Sequence, residues 1–176
     1  FRCGFGSNFM TKNFITKFAY SMADVIDNDK PILIARDTRG SGKKIEGWIV
    51  EVLISKGFNI HIAEILPTPG ISYMLCNGNF SLGIMITASH NPHTDNGVKL
   101  FGGNGYKLNA KTESLIEQRI LKESFDMKTS NNGKKIVLQN SFEDYINSIS
   151  NRYSDINFDN YNLHQNFNMA DQRFTH

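Results

Sequence analysis

The sequence predicts an α/β fold: a mixed, largely parallel sheet sandwiched between helices. Three observations carry this. Short β-branched runs recur at 31–36 (PILIAR), 58–65 (FNIHIAEI) and 82–87 (LGIMIT). Stretches with apolar residues at helical spacing separate them, and turn residues punctuate the joins. Strands that alternate with helices imply βαβ units, whose crossovers place helices over the faces of a parallel sheet.

The elements follow in order. Residues 12–26 carry Phe14, Phe18, Met22, Val25 and Ile26 on one helical stripe, with Thr11 as N-cap. PILIAR is opened by proline and reads as a strand buried on both faces. A helix over 43–56 aligns Ile45, Ile49, Val52 and Leu53 and ends at Gly57. The second strand is closed by Pro67 and Pro69, a short helix covers 70–76, and the third strand spans 82–87. VKLF (98–101) reads as a shorter fourth strand. An amphipathic helix over 110–123 uses Leu115, Ile116, Ile120 and Leu121. Residues 136–138 fit neither period, and 142–152 form a last helix on Phe142, Tyr145, Ile146 and Ile149. One domain is expected over 1–154. The tail 155–176 is rich in asparagine and lacks an apolar period, so it is expected to be poorly ordered or to begin an interdomain connection.

Composition is that of an ordinary soluble domain: 176 residues, 40% hydrophobic, 20% charged, net charge +2. The longest basic runs are the pairs Lys43-Lys44 and Lys134-Lys135, so no nucleic-acid partner is expected. No apolar stretch is long enough to span a bilayer, and no membrane association is expected. Cys3 and Cys76 lack metal-type spacing and read as free thiols in a reducing compartment, with the cytoplasm as the expected location. The first residue is Phe1 rather than methionine, which suggests residues upstream.

The stretch GIMITASHNPHTDNGVKLFGG (83–103) raises the question of function. In a parallel α/β sheet, ligands bind beyond the carboxyl ends of the strands. The third strand ends near Thr87, so Ser89, His90 and Asn91 are placed there, and Pro92 stiffens the loop. A Ser–His nucleophile pair is disfavoured, because adjacent residues of extended backbone point to opposite sides. A zinc site from His90, His93 and Asp95 lacks a fourth ligand. The P-loop order is absent. A plain turn with incidental polar residues stands as one alternative. The other is a serine that carries a phosphoryl group, because a phosphoserine needs cationic donors. His90, Asn91 and Lys99 lie within ten residues of it, and Arg2 can join through the fold. A hairpin-like turn at Asn96-Gly97 is expected to return Lys99 to the loop.

These residues carry a resemblance. Thr87-Ala88-Ser89-His90-Asn91-Pro92, with Asp95-Asn96-Gly97-Val98-Lys99, resembles the phosphoserine loop of the α-D-phosphohexomutases. Three further segments agree in order and spacing: Arg36-Asp37-Thr38-Arg39 with Ser41-Gly42, Pro67-Thr68-Pro69, and Gly105-Tyr106-Lys107-Leu108. The resemblance covers about residues 1–125 and is strongest to the phosphoglucosamine mutase branch, then to the phosphomannomutase/phosphoglucomutase branch.

The resemblance implies a phosphoglucomutase first-domain-like fold. It also implies phosphoryl transfer between the 6- and 1-positions of a hexose phosphate, activated by a sugar 1,6-bisphosphate. Ser89 would bear the phosphoryl group, and its phosphate would also ligate Mg²⁺. His90 and Asn91 would hold the loop and the phosphate, Lys99 would act as acid or base, and Arg2 would face the phosphoserine. Cys3 stands where the family has glycine. Arg36, Asp37 and Arg39 are read as a structural ion-pair corner ahead of a catalytic reading, Trp48 as core or interface, and the Pro-Thr-Pro segment as a turn. His61 and His164 are given no role.

The family's metal-binding Asp-x-Asp-x-Asp-Arg loop and its sugar-recognition domains are not found in the 176 residues; Asp171-Gln172-Arg173 lacks the repeated carboxylates. The resemblance therefore implies the first of four domains, with the missing C-terminal domains as partners. The chain alone is expected to have no useful mutase activity. A non-catalytic remnant that binds phosphosugars is the second expectation from the sequence.

Overall fold

The computed structural model describes residues 1–122 and 133–156. The chain divides into two compact units, 1–145 and 146–176. Among the described residues, unit 1 is built on a six-stranded sheet. Its strands are β1 (Arg2–Gly4), β2 (Ile32–Arg36), β3 (Ile60–Ile65), β4 (Leu82–Ile86), β5 (Asp95–Gly102) and β6 (Lys135–Val137), in the order β1-β5-β4-β2-β3-β6. β6, β3, β2 and β4 run parallel, whereas β5 is antiparallel to both β4 and β1. The α/β class and the mixed, largely parallel sheet stand as expected from the sequence. The helices are α1 (Lys12–Ala23), α2 (Gly42–Ser55), α3 (Thr68–Asn77), α4 (Ala110–Ile120) and α5 (Ser141–Arg152), the last of which runs into unit 2.

The two sheet faces are apolar for the reason the period-2 geometry requires. Ile32 and Ile34 point into one core with Ile60, Ile62, Ile84 and the inner residues of α1, α2 and α4. Leu33 and Ala35 point into the other, with Ala63, Met85 and the α3 residues Ile71 and Leu75. Residues 32–35 are all fully buried, so β2 lies at the centre of the sandwich. Thr11 caps α1 as its position predicts, its Oγ1 accepting from the Phe14 amide at 3.2 Å. Gly57 follows α2 at φ +91°, a conformation that glycine adopts without a Cβ clash.

Three details depart from the sequence reading. Residues 136–138 fall in and beside an edge strand, β6, which pairs with β3 through main-chain bonds that a three-residue segment cannot announce by periodicity. β1 and the 3₁₀ turn over Asn8–Met10 were not anticipated. On α4 the buried stripe is narrower than expected: Ile116 is buried, but Leu115 is 45% and Leu121 81% exposed. The expectation for residues 155–176 falls almost wholly outside the described residues.

Arg36 ends β2 and turns toward α2, where its Nε lies 3.2 Å from Oε2 of Glu46. The contact is an ion pair without hydrogen-bond alignment, and neither atom has another polar partner among the described residues. Burial pushes the Glu46 carboxyl above its ordinary range, against the smaller opposing pull of Arg36. A carboxyl raised in the folded chain binds its proton more tightly there than in the unfolded chain. Its contribution to stability is therefore most favourable when it is protonated and declines as pH rises through the raised value. Relative to Glu46→Gln, the wild type is expected to gain melting temperature as pH falls from about 7 toward the ordinary carboxylate range. The opposite trend would show that the Arg36 attraction outweighs burial.

Candidate functional site

The site grows out of sheet register. β2 and β4 are parallel and in step, Ile32 with Leu82 through Arg36 with Ile86, so their carboxyl ends finish side by side. The Asp37 amide donates to the Ile86 carbonyl at 3.0 Å, which joins the segment after β2 to the one after β4. These two segments, 37–41 and 87–94, build the loop.

Thr87 and Ala88 are still buried, and the chain emerges at Ser89 and His90, both exposed. Ser89 holds φ at +57°, the left-handed region that a non-glycine residue enters at a cost of about 1–2 kcal/mol. The premise of extended backbone at Ser89-His90 is therefore corrected. Sterics alone would not hold serine there, and the polar contacts around it supply the constraint. The Ser89 amide donates to Thr87 Oγ1 at 2.9 Å, and that hydroxyl donates to Asp37 Oδ2 at 2.7 Å. Arg39 reaches from the β2 side. Its Nε donates to Asp37 Oδ2 (2.9 Å), its Nη2 to the carbonyls of Ser89 (2.9 Å) and Asn91 (3.0 Å), and its Nη1 to those of Asp95 (3.1 Å) and Pro92. Neither the Ser89 hydroxyl nor the His90 ring has a polar partner among the described residues.

The expected Asn-Gly turn is also corrected. The chain reverses earlier, where the Asp95 amide donates to the Pro92 carbonyl at 3.0 Å, and Asn96 and Gly97 already belong to β5. The glycine is used for close approach instead. A Cβ on Gly97 would lie 2.7 Å from the Thr87 carbonyl, 2.8 Å from that of Phe1 and 2.9 Å from Arg2 Cβ. Asn96 is fully buried and donates to Ser41 Oγ at 2.9 Å, which ties β5 to the entrance of α2. Gly97→Ala is expected to destabilise the chain by about 1–3 kcal/mol, read as a lower urea midpoint, because backbone rather than a flexible side chain must yield.

Of the residues singled out from the sequence, Arg2 and Asn91 come together. β1 pairs Arg2 with Gly97, and Arg2 Nη1 donates to Asn91 Oδ1 at 3.5 Å, while Asn91 Nδ2 donates to Asp95 Oδ2 at 2.8 Å. Lys99 sits further along β5, opposite Met85. With Arg2, Phe18, Lys107 and Glu113 it lines a crevice of about 610 Å³, a lining that does not include Ser89 or His90. Lys99 has no hydrogen-bond or ion-pair partner among the described residues.

The ion-pair corner read from Arg36, Asp37 and Arg39 is divided. Asp37 and Arg39 pair at the loop, whereas Arg36 pairs with Glu46. The sequence reading missed how far Arg39 reaches into the loop, and it missed Thr87 as the link between Asp37 and the Ser89 amide. A usable signal was present, since parallel strands in step bring residues 37–39 beside 87–89.

With that geometry in place, the comparison with known proteins decides the family. The profile described as phosphoglucomutase/phosphomannomutase, alpha/beta/alpha domain I, matches residues 1–127. The chain belongs to this family. Its relatives include the phosphoglucosamine mutase of Streptococcus thermophilus, 48% identical over 86 residues, which is 49% of this chain and 19% of that protein. The phosphoglucosamine mutase of Verminephrobacter eiseniae is 33% identical over 148 residues, 82% of this chain and 32% of that protein. The chain thus matches between about a fifth and a third of the length of these relatives.

The fold recurs in two solved structures. One is a phosphoglucomutase/phosphomannomutase family protein from Burkholderia thailandensis, with TM-score 0.69 and 20% identity over 85% of this chain and 34% of that one. The other is parafusin, a phosphoglucomutase from Paramecium, with TM-score 0.69 and 18% identity over 86% of this chain and 33% of that one.

The described residues do not fit a divalent cation by themselves. No group of three His, Cys, Asp or Glu side chains placed to hold a metal occurs among them. The nearest carboxylates are already engaged, Asp37 with Arg39 and Thr87, and Asp95 with Asn91. Cys3 and Cys76 are free thiols, and no described helix is long and apolar enough to cross a membrane.

Proposed function

We propose that residues 1–154 are the catalytic-serine domain of a phosphohexomutase. In this reading Ser89 carries a phosphoryl group and gives it to a hydroxyl of a hexose phosphate. The Ser89 Oγ–phosphorus bond breaks and a bond from phosphorus to the sugar oxygen forms; the hydroxyl proton passes to Lys99 acting as base, and the freed Ser89 Oγ is protonated from solvent. The resulting sugar bisphosphate returns its other phosphoryl group to Ser89, so the 6- and 1-positions exchange. The observation that carries this reading is the Ser89 hydroxyl: exposed, without a polar partner among the described residues, and presented from a backbone held at φ +57°. A hydroxyl with no structural work, on a backbone constrained from two directions, is what a phosphoryl acceptor requires.

His90, Asn91 and Arg2 supply donors to the phosphate, and Arg2 already reaches Asn91. With Mg²⁺ bound, a phosphoryl oxygen on Ser89 would be one of its ligands, and the others would have to come from outside the described residues. The metal's chemistry is neutralisation of the charge on the moving group. The substrate is glucosamine 6-phosphate, converted to glucosamine 1-phosphate in the cytoplasm. The similarity to phosphoglucosamine mutases supports this choice over a mannose or glucose phosphate. The 176 residues alone do not complete the site, which is shared with further domains that supply metal ligands and sugar contacts.

The test joins this chain to the remaining length of the Streptococcus thermophilus enzyme and treats it with glucose 1,6-bisphosphate. Intact-mass spectrometry is expected to show one added phosphoryl group, mapped to Ser89, and the fusion is expected to interconvert the glucosamine phosphates. Phosphate on another residue, or none in a fusion that folds, would refute the assignment. Turnover by the 176-residue chain alone would refute the shared site.

A further inference from the structure

We infer that Arg39 is a positioning residue for the serine, acting as an electroneutral clamp that sets the loop without lending charge to the phosphate. The inference rests on the reading of Ser89 as the phosphoryl carrier.

An arginine has five N–H donors. In Arg39 all five are used, one on the Asp37 carboxylate and four on the carbonyls of Ser89, Asn91, Pro92 and Asp95. Its side chain is only 10% exposed, and its charge is matched by Asp37 at 2.9 Å. A cation with every donor committed and a carboxylate at contact distance has neither a free N–H nor much net field to offer an arriving phosphoryl group. The donors to that group must then come from side chains with N–H groups to spare, such as Arg2, of whose donors Nη1 alone is engaged, and His90.

What the guanidinium does offer is shape. Its planar fork gathers carbonyls from four residues of a seven-residue span to one side of the loop. Those carbonyls converge on the guanidinium only while Ser89 keeps its left-handed turn. Asp37 strengthens the constraint from the same base. It accepts from the Arg39 amide at 3.1 Å, from Arg39 Nε, and from the Thr87 hydroxyl that in turn holds the Ser89 amide. The backbone of Ser89 is therefore fixed at its amide and at its carbonyl by groups that meet at one carboxylate, while its Oγ is left outside.

A lysine at 39 keeps the charge but not the fork, since an ammonium has three donors on a single nitrogen and cannot span four carbonyls together with Asp37. Charge-based and shape-based roles thus separate cleanly.

The test measures amide hydrogen exchange across residues 86–98 in the 176-residue chain for wild type, Arg39→Lys and Arg39→Ala. Both variants are expected to exchange at least tenfold faster at Asn91 and Asp95, with the amides of β2 and β4 unchanged. Guanidinium ion at millimolar concentration is expected to restore protection in Arg39→Ala. Unchanged loop exchange in Arg39→Lys, which preserves charge and most of the side-chain volume, would overturn the clamp even if the alanine variant fails to fold.

A second readout uses the fusion to the Streptococcus thermophilus remainder. Arg39→Lys is expected to lower kcat at least tenfold with KM for the sugar phosphate within about twofold. A rise in KM with kcat retained would mean that Arg39 binds phosphate directly, which overturns the electroneutral role. If Ser89 in the wild-type fusion takes up no phosphate while loop exchange responds as expected, the phosphoserine reading fails and the loop clamp stands.

Discussion

Replacing Ser89 with glycine is expected to abolish phosphoryl transfer in the fusion, by roughly a thousandfold or more, while leaving the fold about as stable as wild type. The loss follows from chemistry: without Oγ no phosphoserine forms, and no neighbouring hydroxyl replaces it. Thr87 is buried and its Oγ1 is engaged by Asp37 and the Ser89 amide. The stability argument runs the other way. Ser89 sits at φ +57°, and its side chain makes no hydrogen bond among the described residues that the variant would lose. Glycine relieves about 1–2 kcal/mol of backbone cost and returns some of it as extra freedom of the unfolded chain. The net change in urea denaturation is expected to stay within about 1 kcal/mol of zero. Ser89→Ala, which keeps the Cβ but lacks the hydroxyl, is expected to be equally inactive and no more stable than Ser89→Gly. A glycine variant that loses several kcal/mol would show that the serine side chain holds the loop together, and the functional reading of its hydroxyl would lose its main support.

The second large effect lies at the centre of the sheet. Ile34→Ala is expected to destabilise the chain by about 2–5 kcal/mol, measured as a fall in urea midpoint with the slope of the transition unchanged. Ile34 is fully buried and stands in register between Ile62 on β3 and Ile84 on β4, both in the core that α1, α2 and α4 cover. Strands on both sides hold the backbone in place, so the space left by the removed atoms does not close by local collapse, which puts the effect toward the upper end of that range. Leu121→Ala is the matched control. Leu121 is a large apolar residue at the end of α4 but is 81% exposed, and its loss is expected to change stability by less than about 0.5 kcal/mol. Equal effects at the two positions would contradict the layered core.

These contrasts also explain what the sequence made legible. β2 and β4 announced themselves because both of their faces are buried, which leaves an unbroken apolar run. β1 and β6 did not, because each is an edge strand of three residues whose partners lie in β5 and β3, far away along the chain. The loop was legible as a candidate site because a serine, a histidine and an asparagine stand where a parallel strand ends.

Its internal construction was less legible. Asn96-Gly97 has the composition of a hairpin turn, yet the glycine is needed because two other chain segments, at Thr87 and at Phe1-Arg2, close on its missing Cβ, a requirement that no local pattern encodes. Arg39 read as half of an ion pair with Asp37, and that much is correct. The carbonyls it gathers carry no sequence signature, since every residue has one.

The edge strand β1 has a consequence for how the site comes together. It meets β5 at residues 95–97, the Phe5 amide adds a bond to the Thr94 carbonyl, and Phe1 exchanges two more with Val98 while its ring packs on Phe9, Phe14 and Phe18. An edge segment with one partner strand opens at a free-energy cost no greater than that of global unfolding. When residues 2–4 lift away, Arg2 leaves Asn91 while the sandwich around β2 stays closed. The Arg2–Asn91 contact therefore depends on the seating of β1 against β5 as well as on the folding of the core around β2.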